Sequence, residues 1–288
     1  MSVKIDESLR QRILQFINEA LAEDVGAGDF TSEATIPVTK RDTARLLVKD
    51  VGILAGVEVA KMIFNAVDPT MEFEQLMEDG DLMHVGDEAF LVTCNTRALL
   101  QAERLVLNTM QRMSGIATLA NRYAFEVEDL PVKVLDTRKT TPNLRFLEKW
   151  AVRLGGAHNY RDGLYDRIMI KDNHVDAAGS LTKAIEDVQT FFRENAVQLP
   201  ITVEVRNLVE LMEVLEVGQI DRIMLDNFEI PLLREAVAHV DRRYETEASG
   251  GITLDSIRAV AETGVDFISV GALTHSAVSL DLSLKVIK

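Results

Sequence analysis

The chain has 288 residues, of which 47% are hydrophobic, and it carries a formal net charge of −15. Its length suits one large α/β domain or two smaller ones, and its composition is ordinary for a globular protein with a sizeable core. The negative charge would repel phosphate groups, so we expect binding neither to nucleic acid nor to an anionic membrane surface.

The first segment, MSVKIDESLRQRILQF, has the apolar spacing of a helix rather than the apolar centre of a signal peptide. No run of residues approaches the ~20 apolar positions that a membrane-spanning helix needs. The single cysteine, Cys94, cannot form an internal disulfide, so nothing indicates an oxidising compartment. We therefore expect a cytoplasmic location and no membrane partner.

Residues 1–112 predict a small α+β domain. Its predicted elements are helices at 7–23 and 56–67 and strands at 43–49, 71–77 and 88–94. The strands alternate apolar and polar residues, which is typical of an antiparallel sheet with one buried and one exposed face. The sequences EDGD and HVGD separate the last two strands with turn-forming residues.

Two further segments adjoin this domain. Residues 97–126 have helical spacing, and Ser114-Gly115 predict an interruption or a kink within that helix. Residues 278–288, VSLDLSLKVIK, alternate with period two. We expect this last segment to return to the N-terminal sheet as a strand.

The pattern changes at residue 131, and residues 113–277 predict a parallel α/β barrel. Continuous apolar runs, which are typical of strands buried on both faces, now alternate with helical segments. The predicted strands are 132–136, 167–172, 201–205, 222–226, 244–249 and 266–271, and the helices between them include 181–194, 207–217, 231–239 and 254–263. Six such units indicate a closed or nearly closed barrel.

A polar residue or a glycine lies at or near the C-terminal end of each predicted barrel strand. These positions are Asp136, Lys171, Glu204, Asp226, Ser249 and Gly271. Barrel enzymes build their active sites at this end of the strands. A structural explanation would need a separate reason for polarity at every strand, so we interpret this end as a functional site.

The segment 136–174 is rich in positive charge. It contains eight Lys or Arg against five Asp or Glu, in a chain whose net charge is −15. Clustered cations repel one another unless an anion binds between them, so an anionic ligand is expected, with a solvated basic surface as the alternative. The residues expected to meet the anion are Arg138, Lys139, Arg161 and Lys171.

Two carboxylates are expected to face this cluster from neighbouring strands. Glu204 lies inside an apolar strand, and Asp226 ends the next one. Such a pair can hold Mg²⁺ through water, or stabilise positive charge that develops on a sugar ring as in glycoside chemistry. A salt bridge with the cations is the structural alternative.

Two glycine-containing loops predict a phosphate site at the same end of the barrel. The first, ASGGIT, connects a strand to a helix, and the second, VGALTHS, includes the end of the next strand. Glycines let backbone N–H groups approach an anion closely, and a following helix adds its positive N-terminus. The residues expected to bind phosphate are Ser249, Gly250, Gly251 and Gly271.

Lys171 is also compatible with a second type of reaction. A lysine at a barrel strand end can form a Schiff base with a carbonyl substrate, as in an aldolase-type lyase, when neighbouring cations favour its neutral form. Lys139 and the nearby arginines are candidates for that effect.

At these residues the sequence resembles the quinolinate phosphoribosyltransferase family, the decarboxylating enzymes of de novo NAD synthesis. The motifs appear in the family's order along nearly the whole chain: EDVGAGDFTS, ILAGVEVA, ERLVLNTMQRMSGIAT, DTRKTTPNLR, KDNH, VEV, LDNF, ASGGIT and VGALTHS. The resemblance implies an α/β fold, with an N-terminal α+β open sandwich and a C-terminal incomplete parallel α/β barrel that holds the active site. It also implies a homo-oligomer, a dimer or higher, in which the neighbour's N-terminal domain completes each site.

The resemblance also implies a role for each matching residue. Arg104, in ERLVLN, matches the arginine that the neighbouring subunit lends to the quinolinate carboxylates. Lys171 matches the lysine that reaches phosphoribosyl pyrophosphate, and Glu204 and Asp226 match the acidic pair near the ribose and Mg²⁺. The remaining quinolinate contacts match Arg138, Lys139 and Arg161, and Tyr160 stands where the family has a further contact residue of another type. The phosphate loops match Ser249, Gly250, Gly251 and Gly271. The implied catalytic residues are Lys139, Lys171, Glu204 and Asp226.

One position departs from the family pattern. Where the family usually reads Asn-His-Arg, this chain has Asn159-Tyr160-Arg161. A tyrosine can donate a hydrogen bond to a carboxylate but cannot supply the positive charge of a protonated histidine. This departure supports one alternative, a relative that binds a phosphate-containing ligand without turnover. A separate alternative keeps the chemistry but uses nicotinate, which lacks the second carboxylate. The surplus of arginines favours the diacid over nicotinate.

Overall fold

A computed structural model of the chain describes residues 5–287; residues 1–4 and 288, which fall within the predicted N-terminal domain and final strand, lie outside this range. The chain forms two compact units. The first comprises the described residues up to Asn121, Phe146–Gly156 and the described residues from Ala277, and the second comprises Arg122–Arg145 and Ala157–Ser276. The domain boundary predicted at residues 112/113 stays a prediction. No helix in the described part of the chain combines the length and the hydropathy that a bilayer crossing needs.

The elements predicted for the N-terminal part of the chain are confirmed with small shifts at their ends. The helices are α1 (Glu7–Val25), α2 (Phe30–Thr35), α3 (Val57–Val67) and α4 (Thr96–Phe125), and the strands are β1 (Arg41–Val48), β2 (Gly52–Ile53), β3 (Glu72–Gln75), β4 (Leu82–Met83) and β5 (Glu88–Asn95). The short elements α2, β2 and β4 are not evident from sequence periodicity, because each has too few residues to display one.

The rest of the chain alternates strands and helices, as predicted. The strands are β6 (Lys133–Leu135), β7 (Ile168–Ile170), β8 (Ile201–Val205), β9 (Arg222–Asp226), β10 (Glu245–Ser249), β11 (Phe267–Ser269) and β12 (Leu282–Val286). The helices are α5 (Arg145–Leu154), α6 (Asp172–Ala178), α7 (Leu181–Asn195), α8 (Leu208–Val217), α9 (Ile230–Val240), α10 (Leu254–Ala261) and α11 (Ala272–His275). Helices α5, α6 and α11 were not predicted.

The first unit is built on an antiparallel sheet with the strand order β12-β1-β5-β3. β12 pairs with β1, with Leu284 opposite Leu46, so the predicted return of the last segment to this sheet is confirmed. Buried and half-buried side chains alternate along β5, as its period-two pattern requires. α3 covers the sheet through Phe64, whose ring centroid lies 6.1 Å from that of Phe90.

α4 continues without a break through Ser114-Gly115, so the predicted interruption is wrong. Both residues serve close packing instead. The Ser114 hydroxyl accepts a hydrogen bond from the backbone N–H of Ala55 at 3.0 Å. A Cβ atom on Gly115 would lie 2.1 Å from the carbonyl oxygen of Val278, so only glycine allows the C-terminal chain to approach the helix here.

The second unit contains six parallel strands in the order β6-β11-β10-β9-β8-β7. Within the described residues β6 and β7 do not pair with each other, so the sheet forms an incomplete barrel and the predicted fold class is confirmed. β8 and β9 are buried along almost their whole length, because helices cover one face and the barrel interior covers the other. Their half-buried exceptions are Glu204 and Asp226, which lie toward the C-terminal ends of the strands.

Candidate active site

A cleft of about 860 Å³ opens at the C-terminal ends of the six parallel strands. Residues that end or follow every strand from β6 to β11 line it. Its charged side chains are Arg138, Lys139, Arg161, Lys171, Glu204 and Asp226, together with His275 when that residue is protonated. This is the end at which parallel barrels place their catalytic groups.

The loop after β6 carries Arg138 and Lys139, and hydrogen bonds hold its backbone. The Thr137 hydroxyl accepts from the Lys139 backbone N–H at 3.1 Å. The Thr274 hydroxyl donates to the Lys139 carbonyl at 2.8 Å. Because the backbone is already fixed, less conformational entropy is lost when the two cationic side chains bind a ligand.

Arg138 and Arg161 line the cleft without a carboxylate partner among the described residues. The Nε atom of Arg138 is buried and makes no hydrogen bond. Arg161 donates to the carbonyl of Arg167 at 3.3 Å. Burial, followed by the positive charge of Arg138, lowers the pKa of the Arg161 guanidinium. Two neighbouring cations with free donors are the signature of a site that binds an anion.

Asp136, which is completely buried, positions Tyr160 rather than lining the cleft itself. Its Oδ1 atom accepts the backbone N–H of Tyr160 at 2.8 Å. The Tyr160 hydroxyl lies 2.8 Å from Thr202 Oγ1. Burial, followed by the negative charge of Glu247, raises the pKa of Tyr160 to about 12, so the phenol is neutral at physiological pH.

Lys171 connects β7 to α6 and forms an ion pair with the Glu204 carboxylate on the next strand. Its backbone N–H donates to Nδ1 of His174 at 3.0 Å, which fixes the start of α6. Asp226 ends β9 and accepts a hydrogen bond from Asn227 Nδ2 at 2.7 Å. Two carboxylates on adjacent strands therefore lie in the same cleft as the lysine.

The turn between β10 and α10 forms a backbone cradle in the cleft wall. Gly250 has a φ of +102°, and a Cβ atom there would lie 2.2 Å from Asn227 Oδ1, so both the conformation and the close approach require glycine. Thr253 and Ser256 cap α10 through a reciprocal pair of hydrogen bonds. The N-terminus of α10 directs its positive dipole end to this turn, as at known phosphate sites.

The cleft brings together the predicted site residues of the barrel. These are Arg138, Lys139, Tyr160, Arg161, Lys171, Glu204, Asp226, Ser249, Gly250, Gly251 and Gly271. Arg104 is an exposed residue of α4 in the first unit and is not among the described residues that line the cleft. The role predicted for each side chain stays a prediction.

The sequence matches two family models in chain order. Residues 29–114 match the N-terminal domain of quinolinate phosphoribosyl transferase, and residues 116–285 match its C-terminal domain. The chain belongs to the quinolinate phosphoribosyltransferase family. The resemblance carried by the motifs is thereby confirmed.

Members of the quinolinate phosphoribosyltransferase family match this chain over most of its length. Quinolinate phosphoribosyltransferase (decarboxylating) 1 of Nicotiana glauca is 46% identical, covering 94% of this chain and 81% of that protein. Chloroplastic nicotinate-nucleotide pyrophosphorylase (carboxylating) of Arabidopsis thaliana is 45% identical with the same two coverages. The crystal structure of NadC from Streptococcus pyogenes has a TM-score of 0.91 and 35% identity, and covers 100% of both chains.

The residues predicted for the site of this quinolinate phosphoribosyltransferase family member omit several that line the cleft, among them Thr137, Asn227 and Thr253. Asn227 directly follows a strand end and has a φ of 56°, a conformation that asparagine tolerates better than most residues. Thr253 stands before a predicted helix, where threonine often acts as an N-cap. Both signals were present in the sequence. Among residues 5–287, no three His, Cys, Asp or Glu side chains are grouped as a protein-only metal site would require.

Proposed function

We propose that this protein transfers the phosphoribosyl group of phosphoribosyl pyrophosphate to quinolinate with decarboxylation. The products are nicotinate mononucleotide, pyrophosphate and CO₂, in the biosynthesis of NAD. The names of its relatives support this activity. The observation that most strongly supports it is that Arg138 and Arg161 have no carboxylate partners among the described residues. They lie in a cleft that also holds two carboxylates and a glycine turn.

We assign quinolinate to the cationic wall of the cleft. Arg138 and Arg161 have free guanidinium donors, and a planar guanidinium fork matches a carboxylate in two-point geometry. Lys139 adds a third positive charge, and Tyr160 adds a neutral hydroxyl. The two carboxylates of quinolinate can pair with more of these cations than the single carboxylate of nicotinate can.

We assign the phosphates of phosphoribosyl pyrophosphate to Lys171 and to the turn after β10. The 5′-phosphate is expected at the backbone of Ser249, Gly250 and Gly251, because a glycine turn that leads into a helix offers N–H groups to an anion. We assign Gly271, which lines the same cleft, to this cradle as well. The ribose then lies between this cradle and the two carboxylates.

The proposed chemistry follows from this placement. The pyridine nitrogen of quinolinate attacks the anomeric carbon, and the bond from that carbon to pyrophosphate breaks. Glu204 and Asp226 stabilise the positive charge that develops on the ribose. The adjacent carboxylate then leaves as CO₂, its bonding electrons are held beside the cationic ring nitrogen, and a proton takes its place. The contribution of the protein is positioning and electrostatic stabilisation.

Mg²⁺ fits this cleft as a metal shared between the protein and its substrate. Mg²⁺ usually takes one or two carboxylates together with substrate phosphates and water. Glu204 and Asp226 supply two carboxylates, and the described part of the chain offers no larger group of ligands. We assign these two side chains to the metal through water. When bound, the ion neutralises charge on the departing pyrophosphate.

We propose a homo-oligomer, a dimer or higher, in which Arg104 of one subunit completes the site of another. This proposal is supported by the exposure of Arg104 on α4. Mixing Arg104→Ala subunits with Arg161→Ala subunits tests it, at a quinolinate concentration well below the raised KM of each variant. Activity should rise above that of either variant alone, because the hybrid contains one intact site; no increase in a proven hybrid would refute the sharing. We further propose a cytoplasmic location, although several plant relatives are named mitochondrial or chloroplastic.

The activity is tested directly by supplying quinolinate, phosphoribosyl pyrophosphate and Mg²⁺ and measuring nicotinate mononucleotide, pyrophosphate and CO₂. A parallel reaction with nicotinate in place of quinolinate tests the alternative substrate. Product from quinolinate alone is the expected result. Tight binding of both substrates without any product would favour the non-catalytic relative instead.

The Schiff-base alternative is disfavoured by the ion pair of Lys171. Its Nζ atom is already paired with the Glu204 carboxylate, so attack on a carbonyl would first require this ion pair to break. Borohydride reduction in the presence of a sugar phosphate would trap an adduct on Lys171 if a Schiff base formed. We expect no change in mass.

A further inference from the structure

A second cavity, of about 360 Å³, lies in the second unit. Its lining includes Lys133, Arg222 and Phe267, which are the first residues of β6, β9 and β11. It therefore lies toward the N-terminal ends of the strands, whereas the cleft lies at their C-terminal ends. Tyr160 and Arg161 line both spaces and separate them. We call this second space the rear cavity.

Three cations that line the rear cavity have no carboxylate partner in the described part of the chain. Arg161 donates only to the carbonyl of Arg167, at 3.3 Å. Arg167 in turn donates to Thr202 Oγ1 at 3.2 Å. The Lys133 ammonium lies 6.0 Å from the centroid of the Phe267 ring, which is a weak cation–π contact.

Three carboxylates near the rear cavity offset part of its positive charge. Arg222, the fourth cation, forms ion pairs with Glu245 at 2.8 Å and with Glu247 at 3.0 Å. Asp166 lines the cavity, but its two oxygens accept the backbone N–H groups of residues 162 and 163 at 2.6 and 3.2 Å. The four cations exceed the carboxylates of Asp166, Glu245 and Glu247 by one, so a net positive charge remains at the rear cavity of a chain whose net charge is −15.

A structural role for these cations explains only part of the arrangement. Arg167 and Arg222 stack on Tyr160, with guanidinium carbons 5.5 and 5.3 Å from the ring centroid. Such stacking rigidifies the wall between the two spaces. It gives no reason for Lys133 to line the same cavity, because that side chain is exposed and has no ion-pair partner among the described residues.

The geometry points to a second anion site in the rear cavity, one that takes a small oxyanion with two or more negative charges, such as inorganic phosphate. Lys133 and Arg167 provide donors that the cleft does not use, and Arg161 provides one that both spaces share. Charge-assisted hydrogen bonds from guanidinium and ammonium groups are the usual means of holding such an anion.

The shared arginine couples the two sites. An oxyanion in the rear cavity and a dicarboxylate in the cleft attract the same Arg161 guanidinium, so each weakens the binding of the other. Because such coupling is reciprocal, phosphate should raise the KM for quinolinate and quinolinate should weaken the binding of phosphate. Anions that resemble the products would thus inhibit the enzyme by binding in the rear cavity, without competing for the phosphate cradle.

The test compares the wild type with the double variant Lys133→Gln/Arg167→Gln, neither residue being part of the cleft. Calorimetry with inorganic phosphate should detect two sites per wild-type chain, the cradle and the rear cavity, and one site in the double variant. In kinetics, phosphate should raise both KM values of the wild type. In the double variant, the concentration of phosphate that doubles the KM for quinolinate should increase by roughly tenfold, as expected for the loss of charge-assisted contacts.

Controls separate this inference from the proposed activity. The KM for phosphoribosyl pyrophosphate should respond to phosphate equally in both proteins, because the cradle is untouched. Lys183→Gln, at an exposed residue of α7, removes a distant charge and should leave both binding sites intact. The single variant Lys133→Gln, at an exposed position, covers the case in which substitution of Arg167 impairs folding of the double variant. A single phosphate site in the wild type, or two sites in a folded double variant, would overturn the inference whether or not the protein turns over quinolinate.

Discussion

The Lys171 ammonium and the Glu204 carboxylate form an ion pair across β7 and β8, and both side chains line the cleft. In the free protein each charge therefore compensates the other. We propose that a phosphate group of the substrate attracts Lys171 and so releases Glu204 to face the ribose. Substrate binding would then uncover the negative charge that the proposed chemistry needs, at the time when positive charge develops.

Glu204→Gln should lower kcat by roughly 10²- to 10³-fold, as is typical when a group that stabilises transition-state charge is removed. The KM for phosphoribosyl pyrophosphate should change less than kcat, because losing the water-mediated Mg²⁺ contact and freeing Lys171 from its carboxylate have opposite effects on substrate binding. Steady-state kinetics measures both constants. The matched control is Glu210→Gln on α8, whose partner is the exposed Arg206. A raised KM with unchanged kcat would show that Glu204 acts only in binding.

Arg161→Ala should raise the KM for quinolinate by roughly 10- to 100-fold, the range expected for one lost charge-assisted contact. The KM for phosphoribosyl pyrophosphate should change little, because Arg161 lies on the cationic wall and not in the phosphate cradle. Arg161→Lys should recover part of the loss. Equal effects on the two substrates would contradict the role assigned to Arg161.

Gly250→Ala and Gly251→Ala should have unequal effects on the KM for phosphoribosyl pyrophosphate. At Gly250 an added Cβ atom would lie 2.2 Å from Asn227 Oδ1, whereas at Gly251 it would meet nothing within 4 Å. Both residues have positive φ, which costs alanine about 1 kcal/mol. We expect at least a tenfold increase for Gly250→Ala, and a smaller one for Gly251→Ala. Similar increases would mean that backbone conformation, rather than the contact with Asn227, shapes the cradle.

The parts of the site that the sequence predicts are those with a local signal. Glu204 and Asp226 stand out because each is a carboxylate in or at the end of a continuous apolar strand. The contact between Tyr160 and Thr202 has no such signal, because it joins residues 42 positions apart. Gly115 shows the opposite failure: a local rule predicted a break, and close packing against Val278 explains the glycine instead.

Tyr160→His should make quinolinate binding depend on pH. The pKa of Tyr160 is raised to about 12, chiefly by burial, so the wild-type side chain does not change its charge between neutral and mildly acidic pH. The unperturbed pKa of a histidine is about 6.5, and burial beside cations would lower it further. The KM for quinolinate should therefore fall as pH decreases through that range in the variant. Parallel pH profiles for variant and wild type would exclude a contact between residue 160 and the substrate.

Arg222 and Glu247 form a buried ion pair inside the barrel. Substituting one or both residues should show how the pair contributes to the free energy of unfolding. Glu247 is fully buried, accepts a hydrogen bond from Ser269, and has its pKa raised chiefly by burial. Arg222→Met leaves that carboxylate without its cation, which should reduce the free energy of unfolding by about 3–5 kcal/mol at neutral pH.

The pH dependence of this loss distinguishes an unpaired charge from a packing defect. A carboxyl whose pKa is raised by folding contributes stability below its unfolded pKa and loses it as pH rises through the folded pKa. The Arg222→Met variant should therefore regain stability as pH falls and Glu247 becomes protonated. Adding Glu247→Gln should restore most of the loss and abolish this pH dependence, as measured by thermal unfolding at acidic and neutral pH. A loss that is the same at every pH, and that the second substitution does not relieve, would assign the effect to packing of Arg222 on Phe267, whose ring centroid lies 3.6 Å from the guanidinium carbon.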